Sequence, residues 1–453
     1  MTETTPAFTH CIADFASTLD DALEDQALLE TLKVRIVDTV GCMLGAAEAE
    51  PVRIARDVAE AYQRPADGVP VATIVGGGVL SLEAATFVNG IAARFLDFND
   101  IYLSKEAVHP SDNIPVALAL AEGLQHDGRE LLLAVLKGYE VHCRLADTVS
   151  TRKGGWDNVV LGAIASSVMA GSLLRLAPEQ QAAAISIAAI GNVALMETRA
   201  GSLSMWKAAA APYAARAGVF AALHASRGMT APRSALDGKY GLFAQVTGPS
   251  DDAVFSRNNG PWRSHEVHLK AFPAQYFTQT AIEAALKLRA QLDGALPERI
   301  EVRTFEFGRV AAADSKEKWW PETRETADHS MPYCVAVALL DGQVSEAQFK
   351  ADRIRAEDVR ALLPRIVVRE DEALNPLYPE KVPTRIAVEF ADGRRLEEGV
   401  DYPLGHSRNP MTRAQVAAKF ADLVPGKVAL LDRLFELEKL DCDELAAALT
   451  DLS

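Results

Sequence analysis

The hydrophobic pattern of this chain changes period twice, near residue 265 and again after residue 405, and that switch limits the folds open to it. Before the first change apolar residues recur at helical spacing, as in Leu28, Leu32, Ile36 and Val40, with Gly41 and Gly45 inviting close helix contact. Phe8 to Leu19, Ile54 to Tyr62, Leu131 to Ala146, Val159 to Leu176, Pro178 to Ala194 and an alanine-rich run to about His224 read the same way. Small residues let helix axes approach, so this region predicts a tightly packed helical body. Between the two switches, Arg299 to Phe305, Arg365 to Arg369 and Arg385 to Phe390 alternate polar and apolar residues as half-buried strands do. Asp392-Gly393 marks a hairpin, and helical patterns at Tyr276 to Leu292 and Met331 to Leu340 are interleaved. After Gly405 to Pro410 the helical period returns, with a capping box at Thr412 to Gln415 opening Val416 to Leu449 in one or two pieces. The expected fold is mainly α: a large all-helical domain built from both chain ends (1–266 and 404–453), with an inserted smaller α+β domain (267–403).

Composition removes several function classes. A net charge of -16 argues against nucleic-acid binding, but leaves room for an anionic substrate held by a local cationic cluster. No apolar run approaches the ~20 residues of a membrane span. The amino terminus lacks a basic segment followed by an apolar one, so a cytoplasmic protein, or a matrix protein whose targeting peptide is absent, is expected. The five cysteines are scattered without a CxxC pair, which disfavours zinc and iron–sulfur clusters and fits reduced thiols. Gly76-Gly77-Gly78 lacks the spacing of a phosphate loop and reads as a turn before Ser81, the cap of a helix running to about Leu96.

That helix delivers the stretch richest in chemistry, Arg94 to Asn113. Two acids, Asp97 and Asp100, and an imidazole, His109, fall within it; proton transfer needs such groups. The same residues also suit a charged loop in which Ser111 or Asp112 caps the next helix and His109 packs. Farther along, Lys207 stands in an apolar, alanine-rich context where an ammonium needs an anion, unless it snorkels to solvent. Lys270 lies where the chain crosses between domains, and Asp328-His329 precedes an apolar helix, either capping it or serving as acid or base. A hard-metal site from Asp97, Asp100 and His109 lacks the further oxygen ligands it would need.

Five of these segments together resemble one family. They are Phe95-Leu-Asp-Phe-Asn-Asp100, His109-Pro-Ser-Asp-Asn113, Ser204-Met-Trp-Lys207, Lys270-Ala-Phe-Pro-Ala274 and Thr326-Ala-Asp-His-Ser-Met-Pro-Tyr333. The family is that of 2-methylcitrate dehydratase, cis-aconitate decarboxylase and iminodisuccinate epimerase, the MmgE/PrpD family. The resemblance implies a helical domain with an α+β lid, a homodimer, no metal or organic cofactor, and small di- or tricarboxylate substrates. It also implies an active-site acid at Asp97, a catalytic histidine at His109, substrate-binding lysines at Lys207 and Lys270, and a lid tyrosine at Tyr333. Together with the reading of the residues this gives Asp97, His109, Lys207, Tyr333 and His329 as catalytic candidates, with Tyr333 or His329 as the acid for the leaving hydroxyl, and Lys270, Asp100, Arg199, Gln275 and Asn158 as substrate-binding candidates. Ile101, Asn158 and Gln275 depart from the threonine and histidines of the decarboxylase branch, so the chain is more similar to the dehydratase branch. The function expected is cofactor-independent dehydration of a hydroxy-tricarboxylate such as 2-methylcitrate. Epimerisation or decarboxylation of a related polycarboxylate, or carboxylate binding without turnover, are the alternatives.

Overall fold

A computed structural model describes residues 7–63, 65–292 and 296–453. The chain is mainly α-helical, with one small sheet of consequence. The helical body opens with α1 (Phe8–Ser17), α2 (Gln26–Gly45) and α3 (Glu50–Tyr62). A short hairpin, β1 (Val71–Thr73) and β2 (Val79–Ser81), turns on Gly76, Gly77 and Gly78, all at positive φ, a conformation that glycine adopts without steric cost. Ser81 then caps α4 (Leu82–Phe95). A second minimal hairpin, β3 (Tyr102–Leu103) and β4 (Ala107–Val108), leads to α5 (Ile114–Gly123) and α6 (Gly128–Thr148), the latter opened by the Asp127/Glu130 capping box. Helices α7 (Val159–Leu173), α8 (Pro178–Gly191) and α9 (Trp206–Ser226) pack on one another, and α9 packs on α4. No helix among the described residues is long and apolar enough to cross a membrane.

The alternating segments form the expected strands. Strands β5 (Arg299–Thr304), β6 (Ile366–Glu370), β7 (Thr384–Glu389) and β8 (Arg395–Val400) assemble in the order β6-β5-β7-β8. Only β5 and β6 run parallel. The register aligns Ile300 with Ile366 and Val388, and Val302 with Val368 and Ile386, so one face is aliphatic. That face meets α10 (Gln279–Arg289) and α11 (Met331–Asp341) in a compact apolar core. Asp392-Gly393 does form the hairpin turn, with Gly393 at φ 83°.

The chain closes with α12 (Arg413–Leu423), α13 (Val428–Leu434) and α14 (Cys442–Thr450). The reading of one or two pieces is thus corrected to three: Gly426 sits at positive φ between the first two, and Asp441 caps the third. These helices join the core of the amino-terminal body, where Phe420, Leu434 and Leu445 are buried beside Ile36 and Leu131. Contact between α2 and α12 depends on missing side chains, since a Cβ on Gly41 would stand 3.0 Å from the Phe420 ring. The residue before Phe420, Lys419, is buried and pairs at 2.7 Å with Asp38, one turn before Gly41 on α2. Its ammonium also donates to the backbone carbonyls of Phe98 at 2.8 Å and Lys270 at 3.1 Å. A smaller apolar cluster, Ile101, Leu103 and Ala107 against Tyr276, Phe277 and Phe305, ties the loop after α4 to the sheet-bearing part of the chain.

Candidate active site

Helix α4 stops at Leu96, and Asp97 follows at φ 50°, the left-handed region that Asp and Asn tolerate better than most side chains. The reversal brings the Asp97 carboxylate back to Arg94, whose Nη1 donates to Oδ1 at 2.7 Å. Two distant lysines converge on the same carboxylate. Lys270 donates to Oδ1 and, at 2.7 Å, to the Asp97 carbonyl; Lys207, in the first turn of α9, lies 3.3 Å from Oδ2. Lys207 also bridges both oxygens of Asp328 at 2.7 and 2.8 Å, and Arg324 donates to Oδ2 of the same carboxylate at 2.8 Å. His329 completes the group, with Nδ1 2.5 Å from Asp328 and Nε2 3.5 Å from Asp97.

Burial alone would raise the Asp97 pKa, but Arg94, Lys270 and Lys207 overcome it and hold the carboxyl well below its usual range. Burial brings Lys270 down to about 8, with Asp97 resisting and Arg94 adding to the fall. Burial and the neighbouring Lys207 push His329 down to about 4, so its imidazole is neutral at physiological pH.

His109 reaches this cluster through Arg94. Its Nδ1 lies 2.6 Å from the Asp100 carbonyl, which can only accept, so Nδ1 carries the proton and Nε2 presents a lone pair. Nε2 stands 3.3 Å from Arg94 Nη2. Burial, then Arg94 and Lys270, keep the ring well below its ordinary pKa, which leaves a neutral imidazole fixed in the tautomer a base requires.

The remaining candidates from the sequence divide. Arg199 is anchored on Asp157 at 3.0 Å, while its buried Nη2 makes no hydrogen bond to the protein. Asp100 is not a substrate contact: Ser111 occupies Oδ1 at 2.5 Å and Tyr139 occupies Oδ2 at 2.7 Å, making it a strut under His109. Asn158 donates to the Ala107 carbonyl at 2.8 Å and so supports the same hairpin. Gln275 caps its own turn, its Oε1 accepting from Phe277 N at 2.7 Å. Tyr333 is fully buried in the sheet-side core and donates its hydroxyl to the Gln348 carbonyl, so it is not available as a proton donor. The expected cap at Ser111 or Asp112 is also absent, because a 3-10 turn, Pro110–Asn113, runs directly into α5. Asp112 instead accepts from Asn99 at 2.8 Å. Ser330, rather than Asp328 or His329, caps α11.

Arg94, Asp328 and Arg324 were missed as participants. A sequence signal existed for Arg94, an arginine one helical turn before Asp97 on an otherwise apolar helix.

Chemically, three buried cations (Arg94, Lys207, Lys270) meet two carboxylates within hydrogen-bond or ion-pair reach, an arrangement able to accept a further anion. Asp97, Asp328 and His329 also offer three ligand atoms within 4.8 Å of one another. Lys207 already stands among them, so a divalent ion would have to displace a fixed ammonium; the donor set suits an anion better.

Comparison with known proteins finds one family over most of the chain. The MmgE/PrpD N-terminal domain matches residues 10–254, and the MmgE/PrpD C-terminal domain matches residues 272–438. The chain is similar to the 2-methylcitrate dehydratase of Escherichia coli (strain K12), at 30% identity over 428 residues, covering 89% of this chain and 87% of the relative. The 2-methylcitrate dehydratase of Cupriavidus necator is 33% identical over 411 residues, with 84% and 82% covered. An alkylcitrate dehydratase, phiI, of a fungal species is 26% identical over 437 residues, with 88% and 84% covered. The matched domains follow one another in order and take in most of the sequence, and the chain belongs to the MmgE/PrpD family.

Proposed function

We propose that the protein is a lyase that removes water from a hydroxy-tricarboxylate such as 2-methylcitrate, without metal or organic cofactor. The observation that carries this reading is the convergence of Arg94, Lys207 and Lys270 on Asp97, next to the lone pair of a neutral His109. The names of the similar dehydratases support it. Removing a carbon-bound proton beside a carboxylate builds negative charge on that carboxylate. Fixed cations in a water-poor site offset that charge without reorganising, the task a metal performs in other lyases. In this reading His109 Nε2 takes the proton, Lys207 and Lys270 share the substrate carboxylates with Asp97, and the open Nη2 of Arg199 receives a further carboxylate.

The test is turnover of 2-methylcitrate, citrate and cis-aconitate by the purified protein, with and without a chelator. Formation of the unsaturated tricarboxylate at equal rates in both conditions is expected. Solvent deuterium entering the substrate without loss of water would point to an epimerase instead, and binding without turnover would leave a carboxylate-binding protein.

The protein is further proposed to act in the cytoplasm as a homodimer formed through α9. The outward positions of that helix, Trp206, Tyr213 and Phe220, recur every seven residues and are 51%, 51% and 43% exposed, with Ile190 and Leu195 exposed nearby in sequence. An aromatic row of this kind is the composition of an interface centre. Introducing Tyr213→Arg and Phe220→Arg together should convert a dimer to a monomer in sedimentation velocity. A double variant that sediments as the parent does would exclude this face.

A further inference from the structure

Dehydration needs an acid for the departing hydroxyl, and both groups the sequence offered are committed elsewhere. The Tyr333 hydroxyl is spent on Gln348, and a neutral His329 spends its one N–H on Asp328 at 2.5 Å. A third group stands beside the base. The turn Pro110–Asn113 that follows His109 carries Asp112, whose Oδ1 lies 3.8 Å from Arg94 Nε while accepting from Asn99. Nη2 of the same guanidinium faces His109 at 3.3 Å, and Nη1 faces Asp97. The Nε and Nη2 edge of Arg94 is therefore shared by the base and by Asp112. Nε is buried and makes no hydrogen bond to the protein. A substrate oxygen seated on that open N–H would have His109 on one side and Asp112 on the other.

We propose that Asp112 is the catalytic acid of the dehydration, protonating the hydroxyl that leaves from the Nε edge of Arg94. This rests on the dehydratase reading above. His109 Nε2 takes the carbon-bound proton, the C–H electron pair becomes the second bond of the alkene, and the C–O pair leaves on oxygen. Asp112 supplies the proton that turns that oxygen into water. Return of the proton from imidazolium to carboxylate, two groups three residues apart, restores the starting state. The surroundings suit the role. Burial carries Asp112 up to about 6 against the pull of Arg94 from α4, the Asn99 hydrogen bond and Arg199, with Asp100 adding to the rise. A protonated fraction thus exists near neutrality that an ordinary aspartate lacks.

The experiment compares full-length wild type, Asp112→Asn and Asp112→Glu with 2-methylcitrate. Loss of the acid should lower kcat about 100-fold or more, with KM little changed and partial recovery in the glutamate variant. Wild-type log kcat/KM should fall above pH about 6, and more steeply above about 8 as Lys270 deprotonates; Asp112→Asn should keep only the second limb. The asparagine variant should still exchange the substrate C–H with solvent deuterium, since His109 is intact. Elimination within about threefold of wild type, or equal loss of exchange and elimination, overturns the assignment. A readout independent of turnover is carbon-13 NMR of aspartate-labelled protein with citrate bound. A carboxyl that titrates near 6 and is missing in Asp112→Asn supports the acid, and an Asp112 ionised throughout pH 5–8 overturns it for any substrate. Wild type that turns over no hydroxy-tricarboxylate yet keeps this titration counts against the dehydratase reading alone.

Discussion

Asp97→Asn is expected to cost about 3–5 kcal/mol of stability at neutral pH, because it leaves Arg94, Lys207 and Lys270 buried around a neutral amide. The substitution isolates charge. Asparagine also tolerates φ near 50°, and its oxygen still accepts from Arg94, so neither backbone strain nor shape contributes much. The pH dependence has a definite sign. A carboxyl whose native pKa is depressed contributes stability that is present above its ordinary value and lost as pH falls through the native one. The difference between wild type and variant should therefore be full at neutral pH and shrink in acid. Urea unfolding from pH 3 to 8 measures it. Equal midpoints for the two proteins at neutral pH would show that the cluster is not held together by Asp97.

His109→Ala should lower kcat by about 10²–10⁴ while KM for 2-methylcitrate changes little, because the groups assigned to the substrate carboxylates are untouched. The fold should survive, since the ring makes one hydrogen bond to the Asp100 carbonyl and one contact to Arg94. The hairpin beneath it is held independently by Asn158. Loss of solvent-deuterium exchange in parallel with turnover would place the defect at the carbon-bound proton. Turnover within about tenfold of wild type would remove His109 as the base, and Lys270, brought down to about 8, would be the next candidate.

Much of this was visible in the order of residues. Strand β5 alternates in burial as well as in sequence, so Arg299 to Thr304 announces itself by period alone; β7 alternates in sequence at Thr384 to Glu389 but is buried along Ile386, Ala387 and Val388 as a central strand. Lys207 was conspicuous because an ammonium among alanines must find an anion, and it finds two. What stayed hidden depends on contacts between segments far apart in sequence. Asp328 becomes part of the site only because α9 brings Lys207 against it, across an interval of 121 residues. Tyr333 misled for a related reason: α11 is buried on every side, so the sequence carries no polar face to tell which way a hydroxyl points. Asp112 looked like a cap because a 3-10 turn leading into an α-helix has the same composition as a capped start.

The clamp formed by Lys419 bears on when the protein becomes active. Its single ammonium pins the backbone on both sides of the Asp97–Lys270 pair, and it is supplied by a helix that follows every residue of the site in sequence. During synthesis the ribosome will have released every residue assigned to the chemistry before this helix emerges. Until then Asp38 is an unpaired acid and the two loops lack their common anchor. Assembly of the centre thereby waits for this helix to be made, and a fragment ending at residue 412 should carry all the reactive groups yet show no turnover.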